Sequence, residues 1–175
     1  MQSYQIYKNL ARINELPFNE AEAGFLDCCG SQAWARQMAA ARPFRMVEEL
    51  YKKAGTIWLS LRVADWLEAF TAHPKIGSRK KTTSHQAKSA AWSKDEQAGV
   101  DTASDDTRDA LDEANRLYED KFGFIFIVCA TGKSPDEMLA HCVSRIANDR
   151  AREISIAAEE QRKITEIRLG KLLEQ

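Results

Sequence analysis

Long apolar runs are missing from this sequence. The longest nearly uninterrupted one, Phe122 to Ala130, falls far short of the ~18 residues that a membrane-spanning helix needs. A basic surplus is also missing. With 25 Lys+Arg against 26 Asp+Glu the formal charge is −1, which argues against nucleic acid as a partner because phosphate-driven binding needs excess positive charge. Histidine is scarce, at three residues, and none has a second His or Cys at ligand spacing. Of the four cysteines, Cys28 and Cys29 are adjacent and Cys129 and Cys142 lie among apolar residues. No paired C-x-x-C elements occur, so neither a zinc site nor a disulfide framework is expected, and reduced thiols suit a cytoplasmic protein. The opening MQSYQIYKNL has no apolar core behind a basic cluster and is not expected to act as a signal peptide. The closing LLEQ is not a peroxisomal address. Phosphate-loop, dinucleotide-binding, nucleophile-elbow and H-E-x-x-H patterns are all absent. With no internal repeat, low-complexity stretch or Pro/Gly/Ser-rich linker, residues 1–175 are expected to form one domain.

Helical periodicity is what the sequence has in abundance. Phe44, Val47, Leu50, Tyr51 and Ala54 recur at steps of three and four, as do Leu111, Ala114, Leu117 and Tyr118. Met138, Leu139, Cys142, Val143 and Ile146 form a further stripe, and Ile154, Ala157, Ala158, Ile164 and Ile167 mark a long last helix. Start signals accompany the stripes. Asn19 precedes Glu22 by three, Ser134 precedes Glu137 by three with Pro135 between them, and Asp149 is placed to cap the last helix. The run from Phe122 to Ala130 has strand-like composition, yet no second strand pattern exists to pair with it. The expected fold is therefore all-α, a single-domain multi-helix bundle with one buried extended connector.

Few residues are equipped for chemistry. His73 follows an amphipathic stretch and precedes Pro74, which pushes it out of helical geometry and presents the imidazole on a braced turn. It reads either as a proton-transfer group near neutrality or as a histidine favoured by a helix C-terminus. Ser93 and Glu96 form S-x-x-E, a capping box by local pattern. With Gln97 they also group a hydroxyl, a carboxylate and an amide that suit a polar ligand. Arg145 flanks an apolar stripe and either snorkels or pairs with a neighbouring carboxylate, or else clamps a ligand carboxylate or carbonyl bidentately. His85 and His141 read as surface or packing residues. This kit suits cofactor-free, metal-free acid–base work on a small polar substrate.

Charge is uneven along the chain. From Ala69 to Lys94 there are six basic residues and no acidic ones, and Asp95 to Glu113 then holds eight acidic residues against Arg108 alone. The pattern fits solvated faces, or a local positive field that draws a small anion.

His73-Pro74-Lys75-Ile76-Gly77, Ser93-x-x-Glu96-Gln97 and Asn115-x-x-Tyr118-x-x-Lys121-Phe122-Gly123-Phe124, in that order, resemble the 2-oxo-4-hydroxy-4-carboxy-5-ureidoimidazoline (OHCU) decarboxylases. Arg145 with Asn148-Asp149 and the earlier Trp34 with Ala41-Arg42-Pro43-Phe44 continue the similarity, which runs from about Leu16 to Leu172. The resemblance implies an all-α, often dimeric enzyme of urate degradation that converts OHCU to (S)-allantoin and CO2 without metal or organic cofactor. It implies that His73 is the principal acid/base and that Glu96 works beside it. Pro74, Ser93, Gln97 and Arg145 would line the site, together with Phe126, Ile127, Val128, Cys129 and Ala130, largely through backbone groups. A homodimer in the cytoplasm acting on a small ureidoimidazoline is the expectation that follows. A non-catalytic helical interaction module and a cofactor-free enzyme of a related ureide are the competing readings.

Overall fold

Short polar residues set where several helices begin. In the computed structural model, which describes residues 2–76, 87–96 and 103–175, Ser31 accepts the Trp34 N–H at 3.4 Å and opens α3 (Gln32–Ala40). Ser104 accepts the Thr107 N–H at 3.2 Å and opens α7 (Asp105–Phe122). Ser134 and Glu137 form a reciprocal capping box with Pro135 as the first residue of α8 (Pro135–Arg145), and Asp149 accepts the Arg152 N–H at 2.9 Å at the head of α9 (Arg150–Leu173). The last two match the start signals in the sequence. Asn19 does not cap: α2 (Phe18–Cys29) begins after Pro17, whose fixed φ already favours a helix start, so Asn19 lies inside the first turn. The remaining helices are α1 (Gln2–Glu15), α4 (Val47–Ser60), α5 (Val63–Thr71) and α6 (Ala87–Glu96). No strand occurs among the described residues, and none of their helices is long and apolar enough to cross a membrane. The fold is all-α.

The chain forms two compact units, one of residues up to Ala69 with Arg162–Gln175 and one of Phe70–Gln161. In the first, Gly30 takes the left-handed conformation (φ 82°) that lets α2 stop and α3 turn back on it. Phe25 of α2 meets the rings of Trp34 and Phe44 edge-on, at 6.0 and 6.3 Å. The Trp34 indole N–H is satisfied by the Ala54 carbonyl of α4 at 3.0 Å. Phe44 is buried but precedes α4, so it joins this core from a loop rather than from the predicted helix stripe. Arg42 donates to the carbonyls of Ile13 and Leu16, both at 2.7 Å, and of Ala39 at 3.0 Å. One guanidinium thereby satisfies main-chain acceptors near the ends of α1 and α3 that would otherwise be orphaned.

In the second unit α7 packs on α8. Leu111, Ala114, Tyr118 and Phe122 of α7 and Met138 and Cys142 of α8 are buried. Leu117 and Val143, assigned to the same stripes by spacing, are exposed; at their helical positions they sit beyond the width of the buried face. After Gly123 (φ 75°), the segment Phe124–Ala130 runs as buried, non-helical, unladdered chain. This is the buried connector expected from the sequence, shorter than expected at its start because Phe122 ends α7 and Gly123 caps it. Its aromatic residues pack with α7: Tyr118 lies 5.8 Å from Phe124 and 5.3 Å from Phe126.

Candidate active site

The second unit carries most of the residues singled out in the sequence. α5 ends at Thr71, and the His73 N–H reaches back to the Phe70 carbonyl at 3.2 Å. Pro74 follows and cannot continue a helix, so the imidazole stands on a turn, partly buried, with its Nε2 atom shut away from solvent. The next two residues fasten that turn to α7. Lys75 forms an ion pair with Glu119, and the Ile76 carbonyl accepts from the buried Asn115 side chain at 2.8 Å. Asn115 and Glu119 are four apart, so one face of α7 grips the turn.

Ser93 and Glu96 lie elsewhere than the capping box requires. α6 starts at Ala87 and ends at Glu96, so Ser93 is an interior residue, buried with Ser89 and Trp92 on one face. The alanines at 87, 90 and 91 favour helix strongly enough to start it about two turns earlier. The acidic stretch counted from Asp95 to Glu113 does not lie on one helix: Asp95 and Glu96 end α6, and the acidic residues from Asp105 onward belong to α7. Gln97 and His85 lie outside the described residues. Glu96, at the helix end, is half-buried.

Glu96 and the connector are within electrostatic reach of each other at Cys129. Burial is the main cause that pushes the Cys129 thiol above its ordinary pKa. Lys133 opposes that shift, Glu160 reinforces it, and Glu96 adds a smaller push in the same direction. The Cys129 main chain is held on both sides: its N–H donates to Glu160 Oε2 at 2.8 Å, and its carbonyl accepts from Lys133 Nζ at 2.7 Å.

Arg145 is buried and ion-paired. Its guanidinium donates to Glu153 through Nε at 2.7 Å, with Nη2 in ion-pair contact with the same carboxylate oxygen at 2.5 Å, and through Nη1 to the Ile127 carbonyl at 2.8 Å. It also lies over the Phe126 ring, 4.7 Å from its centre. Glu153 is fully buried and further accepts from the Tyr118 hydroxyl and from Asn148 Nδ2 at 2.7 Å. Burial first, and then the bond to Glu153, push the Tyr118 hydroxyl well above its ordinary pKa, so it stays a donor. Pairing with a carboxylate is thus the arrangement seen for Arg145, and through Ile127 it also touches the connector. His141 is exposed, as expected. Among the described residues no cluster of His, Cys, Asp and Glu is arranged to hold a metal ion.

Glu160, Lys133 and Glu153 were not singled out from the sequence. Glu160 sits in a polar run, Glu159-Glu160-Gln161-Arg162, that looks like an ordinary solvated helix face, and nothing local marks it as the acceptor for an amide 31 positions earlier.

A family model described as OHCU decarboxylase matches residues 14–170. The chain belongs to the OHCU decarboxylase family. Its similarity to a protein of Arabidopsis thaliana named uric acid degradation bifunctional protein TTL is 41% identity over 146 residues, covering 83% of this chain and 45% of that one. A uric acid degradation bifunctional protein of Bacillus sp. (strain TB-90) is 28% identical over 93% of this chain and 32% of its own length. The chain therefore spans less than half of these two relatives. A family member of matching length, the 2-oxo-4-hydroxy-4-carboxy-5-ureidoimidazoline decarboxylase of Amia calva, is 27% identical with 95% of each chain covered. Among solved structures, an OHCU decarboxylase crystallised in the presence of (S)-allantoin superposes with a TM-score of 0.73 at 41% identity, covering 86% of this chain and 97% of that one. A structure of (S)-allantoin synthase shares the fold, with a TM-score of 0.68 at 18% identity and coverage of 93% of this chain and 53% of that one.

Proposed function

We propose that this chain decarboxylates OHCU to (S)-allantoin and CO2, without a cofactor, as a step of urate degradation. The observation that carries the reading is the family match across residues 14–170, joined to 41% identity with a solved OHCU decarboxylase. Because the match runs through both compact units, we read 1–175 as a single functional domain. The substrate brings its own electron sink. The carboxylate sits one carbon from a ring C=N, so when the C–C bond to CO2 breaks, its electron pair moves into that imine and the nitrogen gains a proton. The adjacent hydroxyl then gives up its proton to become a carbonyl, while carbon takes a proton on one face to create the (S) centre.

In this reading His73 is the base for the hydroxyl proton. Its support is the braced turn after α5, gripped by Asn115 and Glu119, which fixes the imidazole for proton transfer. Glu96 works beside it, holding a ring or ureido nitrogen. Pro74, Ser93, Gln97, Arg145 and the connector residues Phe126, Ile127, Val128, Cys129 and Ala130 form the walls, the connector through its backbone. We further propose a homodimer in the cytoplasm, where the four free cysteines stay reduced.

To test the reading, OHCU is made freshly from urate with urate oxidase and hydroxyisourate hydrolase, and optical activity is followed. The protein is expected to produce (S)-allantoin faster than buffer, and His73→Asn, folded by circular dichroism, to lose that acceleration. Wild type that runs no faster than buffer defeats the assignment, and a fully active His73→Asn removes His73 from it. Light scattering decides the dimer.

A further inference from the structure

Three consecutive peptide units of the connector are each held by a charged side chain. Arg145 of α8 takes the Ile127 carbonyl at 2.8 Å. Glu160 of α9 takes the Cys129 N–H at 2.8 Å, and Lys133, from the turn before α8, takes the Cys129 carbonyl at 2.7 Å. In a trans peptide the N–H and C=O point in opposite directions. Fixing one end of each unit therefore fixes the other, so the Val128 N–H, the Val128 C=O and the Ala130 N–H are aimed away from Arg145, Glu160 and Lys133 respectively. Val128 and Ala130 are only 5% and 6% exposed. Buried backbone outside helices and ladders has no repeating hydrogen bonds to set its orientation, and bonds to charged side chains are the strong kind available to do so. Glu160 and Lys133 have no counterpart in the acid–base chemistry, and their role is otherwise unexplained.

We propose that Glu160 and Lys133 are positioning residues. They lock the 128–129 and 129–130 peptide units so that the Val128 carbonyl and the Ala130 N–H face the substrate as a preset acceptor and donor. This rests on the reading of the connector as the wall of an OHCU site. Preset hydrogen-bonding groups discriminate between two faces of a ring as well as binding it, so loosening them degrades stereocontrol along with rate.

The experiment compares wild type, Glu160→Ala, Glu160→Gln and Lys133→Met. Amide hydrogen exchange at Cys129 is measured by NMR on the free protein, and kcat, KM and the (S) excess of allantoin are measured with fresh OHCU. Glu160→Ala is expected to speed Cys129 exchange at least about tenfold, to lower kcat/KM roughly 10- to 100-fold and to erode the (S) excess. Glu160→Gln, whose amide oxygen still accepts the N–H, is expected to stay within about threefold of wild type. Unchanged exchange in Glu160→Ala overturns the proposal. So does unchanged turnover and (S) excess despite faster exchange, and so does a Glu160→Gln as impaired as the alanine variant. Should Glu160→Ala not fold, Lys133→Met decides: a several-fold loss of kcat/KM with reduced (S) excess supports the proposal, and wild-type values overturn it. A wild type inert toward OHCU defeats the decarboxylase reading, and the substrate role with it. The exchange arm then still reports whether Glu160 holds the peptide, so the two failures are separable.

Discussion

Replacing Glu153 with leucine removes the common acceptor for Arg145, Tyr118 and Asn148. Leucine brings no polar atom of its own to be satisfied, so the cost comes from what is left behind. Arg145, only 8% exposed, keeps its bond to Ile127 but loses its counter-ion, and the buried Tyr118 hydroxyl loses its acceptor. Breaking a buried pair by removing one partner costs about 3–5 kcal/mol. At about 2–4 °C per kcal/mol for a chain of this size, Tm is expected to fall by about 6–20 °C. Urea unfolding followed by circular dichroism gives the free energy directly, with the slope m expected to stay near the wild-type value. The double variant Arg145→Met/Glu153→Leu is expected to recover part of the loss, because no unpaired charge then remains buried. A Glu153→Leu protein within 1 kcal/mol of wild type, on the order of an exposed pair's worth, would refute the reasoning. So would a double variant whose loss equals the sum of the singles.

Two further outcomes follow from local geometry. Ser134→Ala is expected to cost about 1 kcal/mol in urea unfolding near neutrality. The Ser134 backbone N–H, bonded to Glu137 at 2.7 Å, and after it the Ser134 hydroxyl, which alanine lacks, hold that carboxyl below its ordinary range, so part of the hydroxyl's effect depends on the carboxylate. The contribution is therefore present above the usual carboxylate pKa and fades as pH falls through the lowered folded value, so an equal wild-type advantage at pH 7 and pH 2 would contradict it. At the alkaline end, burial pushes the Cys29 thiol up to about 12 from an ordinary 9.0. Its stabilising share is complete below pH 9 and is lost between there and the folded value, because the unfolded chain ionises first. Cys29→Ala is expected to flatten the decline of the urea midpoint between pH 9 and 11; parallel declines would exclude the thiol as its source.

What the sequence revealed and what it hid divide by the range of the interaction. The capping box at Ser134, the cap at Asp149 and the strand-like but unpartnered connector depend on neighbours within a few positions, and each is found where the pattern indicates. The same local logic failed at Ser93, where S-x-x-E fitted a helix start although the alanines upstream had already begun one. His73 was legible as a braced turn because Pro74 follows it, whereas its fastening by Asn115 and Glu119 was not, since those residues lie about 40 positions away. Arg145 had two open readings because its partner choice depends on where α9 delivers Glu153. Glu160 gave no signal, for its bond to Cys129 exists only once the connector and α9 are packed.

The connector has a further consequence for the fate of the unfolded chain. Phe124–Ala130, FIFIVCA, contains no charge, proline or glycine and is built of residues that interlock readily in cross-β stacks. In the native state its polar main-chain atoms at Ile127 and Cys129 are capped by side chains rather than by another strand. Once Arg145, Glu160 and Lys133 let go, the same atoms become a template for a second molecule. Lys121 and Lys133 flank the segment in the manner of gatekeepers that keep such stretches apart. A charge placed within it would suppress aggregation further, but at the wall of the proposed site. Solubility after heat stress and catalytic geometry are therefore in competition over the same seven residues.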